Sequence, residues 1–388
     1  MNKKFAVLKI HSHPTGYNQF SEFDDDSDQR LFPTFYAHAD NELPHVSCVM
    51  LPDGKIFGRH VAEDGTFTPL NRILIAGDDI LIWDDSVAEV AIQEHTVRNA
   101  QAFGTGTAQI LQSLKIGVVG LSGLGAPLVE QLGRYSPKCI VMVDPETVET
   151  VNLNRISGAT LNDVGKYKTD VQSRVIKCMG MDTEVLTFPT DLTNRDAVLA
   201  LADCDIVFGC MDGAGGRHLL NRLCSTYLIP YIDIGVRLIA DGEGGVSHIC
   251  GTVHYLQPDQ SSLLSRGLYS MANVEADDLQ RSDPEEYEIR NKEKYITGVE
   301  EKSPSVVSIN TLYASLGVLE LLARLHPYRD DPNAEFAAYG VSLTGSGLTQ
   351  SEETERCQVV TRFAGRGDME PLLDLPVLCL PKPISKTA

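Results

Sequence analysis

The sequence predicts an α/β fold class: a doubly wound, mainly parallel sheet, preceded by a smaller, partial α+β domain. Three observations predict it. From Lys115 onward, apolar runs of strand length alternate with segments of helical spacing. The first of those strands runs into a glycine turn, Gly120-Leu121-Ser122-Gly123-Leu124-Gly125. Before residue 85 the apolar runs are short and are broken by turn residues.

The elements follow in order. In residues 1–85, Phe5–His11, Val46–Leu51, Ile56–His60 and Ile73–Trp83 are short apolar or alternating runs, with turn signals at Asp53-Gly54 and Asp78-Asp79. Residues 86–114 are polar with helical apolar spacing and form a connecting segment. Residues 115–330 hold the doubly wound domain. Its expected strands are Ile116–Gly120, Cys139–Asp144, Glu184–Phe188, Ile206–Cys210 and Tyr231–Val236, with helices beginning near Ala126, Lys166 and Gly216. Residues 266–304 are charged, with acidic runs at Glu275–Asp278 and Asp283–Glu288, and read as an excursion or mobile loop. Val306–Leu325 has the pattern of an amphipathic helix returning to the sheet. Residues 331–388 carry scattered Pro and Gly and read as an irregular extension packed on that domain.

Bulk properties set limits. A chain of 388 residues with 43% hydrophobic and 22% charged residues has ample core for two or three domains. The formal charge of −20 argues against nonspecific binding to nucleic acid or an anionic membrane. No apolar run reaches the roughly 18 residues of a membrane span. The N-terminal stretch has no signal-peptide core, and the nine cysteines form no C-x-x-C pair, so a cytoplasmic protein with reduced thiols is expected.

The chemistry concentrates between Lys115 and Asp212. Gly120 permits a tight turn out of the strand, Gly123 lets backbone approach a phosphate, and Gly125 allows close helix–strand packing. The following helix aims its N-terminal N–H groups at that phosphate. Asp144, at a strand end, stands where a ribose hydroxyl is held. These features alone fit a dinucleotide fold. A reaction that cleaves the α–β phosphate bond also needs positive charge for the departing pyrophosphate. Arg155 and Lys168 can supply it, with Asn152 as a neutral donor, and Asp212 in C-M-D-G can hold Mg²⁺.

G-L-S-G-L-G, V-D-P-E, N-L-N-R, V-G-K-Y-K and C-M-D-G, in this order, resemble the ThiF/MoeB/HesA-type family of ubiquitin-like modifier-activating enzymes, as do the later P-Y-I-D-I-G-V and P-S-V-V-S-I-N-T-L-Y-A-S. The resemblance covers roughly residues 95–330. It implies a Rossmann-like, ThiF-type domain in which ATP adenylates the C-terminal glycine of a ubiquitin-like or sulfur-carrier protein, a small β-grasp partner with a Gly-Gly tail, and pyrophosphate leaves. On that resemblance Asp144 holds the ribose, Asn152, Arg155 and Lys168 hold the phosphates, and Asp212 holds Mg²⁺. It also implies a homodimer in which an arginine reaches across to ATP. Arg98 is the candidate, although its spacing to Phe103-Gly104 is shorter than in MoeB-type members.

The chain departs from the family in two ways. Many relatives carry two C-x-x-C pairs that hold zinc. Here Ser262-Leu263-Leu264-Ser265 stands at the first, and Cys357 and Cys379 do not restore the pairs, so no structural zinc is expected in this domain. Residues 266–304 contain no cysteine for a thioester, Cys210 and Cys250 read as core, and the chain is expected to stop at the acyl adenylate unless a less obvious thiol such as Cys357 serves.

A second motif lies near the start. His11 and His13 alternate at a strand end, and Ser21 and Asp24 follow after a loop. Two imidazoles on one side plus a carboxylate make a three-ligand open zinc site. H-S-H-P-x6-S-x-x-D resembles the second half of the JAMM/MPN+ (JAB) metalloprotease family, which cuts after the terminal glycine of ubiquitin-like proteins. No Glu precedes His11 to act as general base, so a JAMM domain lacking its first half, through a late start or degeneration, is expected to hydrolyse slowly or only to bind a modifier. An NAD-dependent oxidoreductase is the other reading, carried by the glycine turn and Asp144 alone.

Overall fold

The computed structural model describes residues 5–39, 43–241, 243–292 and 305–380. The chain divides into two compact units, residues 1–75 with 81–90, and residues 76–80 with 91–388.

The smaller unit contains β1 (Leu8–Ser12), α1 (Glu22–Ala39), β2 (His45–Met50), β3 (Ile56–Val61) and β4 (Phe67–Pro69). The sheet order is β1-β2-β3-β4, with β1 and β2 parallel and the other pairs antiparallel. The expected single run Ile73–Trp83 is a hairpin of β5 (Ile73–Ala76) and β6 (Ile80–Trp83), because Gly77-Asp78-Asp79 turn the chain. Helix α1 has no counterpart in the sequence reading. Its inward stripe is Asp24, Asp28, Phe32 and Tyr36, so half of it is carboxylate and the apolar period is lost. Asp28 is fully buried because it is paired: Lys9 Nζ lies 2.6 Å from Oδ1 and Arg59 Nη2 lies 2.7 Å from Oδ2. The Arg59 guanidinium is stacked between the rings of Phe20 and Phe67.

In the larger unit, two short helices, α2 (Val97–Phe103) and α3 (Thr105–Ser113), precede the sheet. Then come β7 (Lys115–Val119), α4 (Gly125–Gly133), β8 (Cys139–Val143), α5 (Lys168–Cys178), β9 (Glu184–Phe188), α6 (Arg195–Ala202), β10 (Ile206–Gly209), α7 (Ala214–Tyr227) and β11 (Tyr231–Ala240). These five strands are parallel, in the order β9-β8-β7-β10-β11. Strand β8, Cys-Ile-Val-Met-Val, is buried throughout, as a central parallel strand requires. Helix α6 and three antiparallel strands were not anticipated. The strands are β12 (Val246–Leu256), β13 (Ala338–Ser342) and β14 (Gly347–Ser351), which extend the sheet beyond β11.

The charged excursion carries two helices, α8 (Met271–Ser282) and α9 (Pro284–Lys292), and residues 293–304 lie outside the described residues. Helix α10 (Val307–Leu325) returns as expected. The C-terminal stretch is built of short 3-10 turns besides β13 and β14, and Leu372, Leu373 and Leu378 enter the core with Val143, Val207, Leu220 and Tyr231. No described helix is long and apolar enough to cross a membrane.

Sheet order positions the site. The chain leaves β7 for β8 and β9 on one side, then crosses back to β10 and β11 on the other. The order reverses between β7 and β10, and a crevice opens outside the carboxyl ends of those two strands.

Candidate active site

One lip of the crevice is the turn after β7. Gly120 has φ +89°, and a Cβ there would lie 2.9 Å from the carbonyl oxygen of Cys210 at the end of β10. A Cβ on Gly125 would lie 1.8 Å from the Gly120 oxygen, so only glycine lets α4 start so close to the strand. At Gly123 it would lie 2.2 Å from Asn310 Nδ2 and 3.2 Å from Arg155 Cδ. The start of α10 and the stem of Arg155 therefore both rest on the turn.

Asp144 follows β8 and is buried. Its Oδ2 accepts the Leu121 N–H at 2.6 Å and its Oδ1 accepts the Glu146 N–H at 2.8 Å. Burial raises the carboxyl above its ordinary pKa, and this outweighs the Lys168 ammonium and the two N–H groups, which pull it down. Lys168 opens α5 with its side chain 2% exposed, and its ammonium is ion-paired with the largely exposed Glu146 carboxylate. Asn152 Oδ1 accepts the Glu149 N–H at 3.1 Å in a capped 3-10 turn, which leaves Nδ2 as its donor.

Arg155 is more exposed. Its Nη1 donates to the Val151 carbonyl at 3.1 Å and to Asn154 Oδ1 at 3.3 Å. Asp212 is exposed, and its carboxylate has no partner among the described residues. It stands just past β10 on the other lip, a hard oxygen ligand of the kind Mg²⁺ takes. Asp144 and Lys168 thus meet beside the glycine turn, and Arg155 meets the turn through its stem. Arg98 is not brought to them. It lies exposed on α2, with Nη1 on Gln101 Oε1 at 2.8 Å.

Sequence reasoning missed Glu146, Ser305 and Asn310. Glu146 and Asn310 sat inside quoted motifs, but their roles are tertiary: one holds the lysine, and the other packs on Gly123 and donates to Ser305 Oγ at 2.7 Å.

The Ser262–Ser265 segment is a closed turn in which each serine hydroxyl accepts the other's N–H, at 2.9 and 3.2 Å. Cys357 packs there, which linear spacing had hidden. Burial alone would raise its thiol pKa, but the serine hydroxyls and the N–H groups of residues 359 and 360 hold it below the ordinary value. It is 3% exposed, and Cys210 is also buried, so neither thiol is open to a partner.

In the smaller unit, His11, His13 and Asp24 converge. His11 Nε2 is 2.9 Å from Asp24 Oδ1, His13 Nε2 is 3.3 Å from Oδ2, and all three ligand atoms lie within 4.8 Å of one another. His13 Nδ1 lies 2.7 Å from the Tyr17 carbonyl, which sets its tautomer with Nε2 free to ligate. Burial would raise the Asp24 carboxyl, but the hydroxyl and N–H of Ser21, with the two imidazoles, bring it below the ordinary value. The donor set fits zinc. His11 Nδ1 is buried without an acceptor among the described residues, and no further His, Cys, Asp or Glu joins the group among them.

A sequence profile described as ThiF family matches residues 96–358. Over 142 residues the chain is 30% identical to adenylyltransferase and sulfurtransferase UBA4 of Meyerozyma guilliermondii, covering 36% of this chain and 33% of that protein. It is 30% identical over 122 residues to the SAMP-activating enzyme E1 of Haloferax volcanii, covering 31% of this chain and 45% of that one. The chain therefore spans less than half the length of these curated relatives. Its fold is that of E. coli MccB, solved with ATP, at a TM-score of 0.52 and 17% identity over 72% of this chain and 75% of that one.

Proposed function

This chain belongs to the ThiF family, and from that premise we propose that it adenylates the C-terminal glycine of a ubiquitin-like or sulfur-carrier protein with ATP. A carboxylate oxygen of the tail attacks the α-phosphorus. The new O–P bond forms as the bond from that phosphorus to the β-bridging oxygen breaks, and pyrophosphate leaves with the electron pair. Gly120, Gly123 and Gly125 leave room for the phosphates, and Asp144 fixes the turn and orients the ribose. Lys168, Arg155 and the Asn152 amide compensate the charge that builds on the leaving group. Asp212 would hold Mg²⁺, which screens the phosphate charges when bound.

One contact set carries this reading. A lysine with its side chain 2% exposed is held beside a buried aspartate that closes a glycine turn at the sheet's switch point. A hydride transfer builds no charge on a leaving pyrophosphate, so an oxidoreductase does not need that cluster of cations. The direct test is exchange of labelled pyrophosphate into ATP that depends on a Gly-Gly-tailed β-grasp protein. Tight NAD binding without ATP binding would favour the oxidoreductase instead.

The wider assembly belongs to the same proposal. Residues 115–330 are the adenylation domain, 86–114 its connecting segment and 331–388 its extension. The enzyme works as a homodimer, with Arg98 reaching the partner's nucleotide. Its exposed, locally tied position on α2 supports a role outside its own crevice. Nine cysteines, an odd number with no C-x-x-C pair, fit a reducing cytoplasm.

A second reading rests on the His11, His13 and Asp24 cluster. Residues 1–85 form a JAMM-like zinc site, which would polarise a bound carbonyl when loaded. Without a second carboxylate among the described residues it serves to bind a modifier more than to cut one.

A further inference from the structure

Three arginines converge on one aromatic ring at the flank of α7. Arg222 lies on α7 itself, two turns in from the end that faces the crevice. Arg362 belongs to the 3-10 turn Thr361–Phe363, and Arg366 to the loop after it. Their Cζ atoms stand 3.8, 4.7 and 5.1 Å from the centroid of the buried Phe363 ring. The loop is fixed in place. The Gly365 and Gly367 N–H groups donate to the Ser225 and Thr226 carbonyls near the end of α7, at 3.2 and 3.1 Å.

Little in the protein offsets this gathering of like charge. The carboxylate nearest to it is Asp374, in the 3-10 turn Leu372–Asp374. Its Oδ2 lies 3.9 Å from Arg222 Nη2 and 3.9 Å from Arg366 Nη1, beyond hydrogen-bond reach. Asp368 and Glu370 on the same stretch are engaged elsewhere: Asp368 accepts the Tyr227 hydroxyl at 2.9 Å, and Glu370 pairs with Arg195. None of the three guanidiniums donates a hydrogen bond to an acceptor among the described residues, and Arg222 Nε is buried without one. The Arg222 side chain is only 11% exposed. Burial lowers its pKa, Asp374 raises it, and Arg362 and Arg366 lower it further.

We infer that this cluster is a binding site for a phosphate dianion, separate from the nucleotide crevice and independent of the adenylation reading. A guanidinium stacked on a ring uses its face, which leaves its N–H edge for an oxyanion. Three arginines against Asp374 leave two positive charges, in a chain whose formal charge is −20. A phosphate group near neutral pH matches that surplus, and a single carboxylate does not. Asp374 weakens the site without closing it, because it makes no hydrogen bond to either arginine. A free phosphate and a phosphorylated side chain present the same oxygens.

The test uses the full chain at fixed ionic strength, with chloride as the reference anion. Inorganic phosphate is titrated by calorimetry and thermal melts, as is a peptide with one phosphoserine beside its unphosphorylated form. The expected result is saturable binding with a rise in Tm that chloride does not give. Arg362→Gln and Arg366→Gln, both at exposed positions, should each weaken it about tenfold, the loss of one charged hydrogen bond. Arg222→Lys keeps the charge but not the fork and should weaken it too. Asp374→Asn removes the competing charge and should strengthen it about threefold to tenfold. Asparagine also tolerates the φ of +57° found there. Tighter binding of the phosphopeptide names a protein-borne ligand, and equal or tighter binding of free phosphate names a small one. The absence of a saturable phosphate effect beyond that of chloride overturns the inference. So does binding that Arg362→Gln and Arg366→Gln leave unchanged, which puts the phosphate in the crevice. Arginines that merely cover Phe363 predict a lower Tm in those variants with no difference that depends on phosphate, and that result overturns it as well.

Discussion

Asp144 Oδ2 accepts the Leu121 N–H at 2.6 Å, so the carboxylate that ends β8 fastens the glycine turn that ends β7. The aspartate that orients a sugar in the proposed function is also the residue that shapes the phosphate cradle. Asp144→Ala leaves the buried Leu121 N–H unmatched, at a cost of about 1–3 kcal/mol, and the half-buried Glu146 N–H as well, at less. The expected outcome is a lower urea midpoint together with loss of ATP binding. Asp144→Asn keeps the shape but only one of the two acceptors, because its NH2 faces the other N–H, so its affinity for ATP should fall while only part of the stability returns. Wild-type affinity in Asp144→Asn would show that the carboxylate only holds the fold.

Lys168 and Arg155 should separate by rate and stability. Lys168→Ala removes an ammonium sealed beside Asp144, and pyrophosphate exchange should drop by roughly 10²–10³-fold. Arg155 is half-buried, with its stem on Gly123 and its guanidinium tied only to its own turn, so Arg155→Ala should lower the Tm less than Lys168→Ala does, while exchange still falls steeply. Glu146→Gln frees the Lys168 ammonium without moving it and should leave exchange intact or improve it. Steady-state exchange with thermal melts on the same preparations checks all three.

Which parts of this site could be read in the sequence follows from how local they are. The glycine turn, Asp144 and Lys168 lie within one β-α-β-α run, so spacing alone carries them. Asp277 meets Gly215 from 62 positions away, and Asn310 meets Gly123 from still farther, so no local pattern announces either contact. Helix α1 was hidden because Asp24 and Asp28 occupy its inward stripe, where their partners, the imidazoles, Lys9 and Arg59, come from outside the helix. Strands β12 to β14 carry many exposed or half-buried residues at the sheet's edge, and they lack the unbroken apolar run that marked β8.

His254 on β12 gives the larger unit a dependence on pH. Burial, then Arg266 and Arg217, push its pKa down to about 3 from an ordinary 6.5. The folded protein keeps the ring neutral, while the unfolded chain takes up a proton below 6.5. The unfolded state therefore binds more protons between those two values, and this contribution is full above pH 6.5 and lost as pH falls toward 3. By pH 5 about 2 kcal/mol of it has been lost. His254→Gln should narrow the gap between urea midpoints at pH 7 and pH 5. An unchanged gap would mean that the acid sensitivity lies with carboxylates elsewhere.

The zinc proposal has an asymmetry that binding can read. His13 is oriented by the Tyr17 carbonyl behind it, and Asp24 by both donors of Ser21, but His11 Nδ1 has no acceptor among the described residues. Ligating histidines lose about 10–100-fold in affinity when that outer contact is missing. Competition against a chelator should therefore give one zinc per chain, held more weakly than in sites with both imidazoles supported. His13→Ala and Asp24→Ala should abolish it, and Ser21→Ala should weaken it through the loosened Asp24. No cleavage of a modifier fusion should accompany the bound metal, because no second carboxylate joins the ligands among the described residues to take the water's proton. Zinc-dependent, chelator-sensitive cleavage would show that a base reaches the site from elsewhere. Failure to bind zinc at micromolar concentration would reduce the cluster to a hydrogen-bonded clasp, in which Asp24 ties the end of β1 to the first turn of α1.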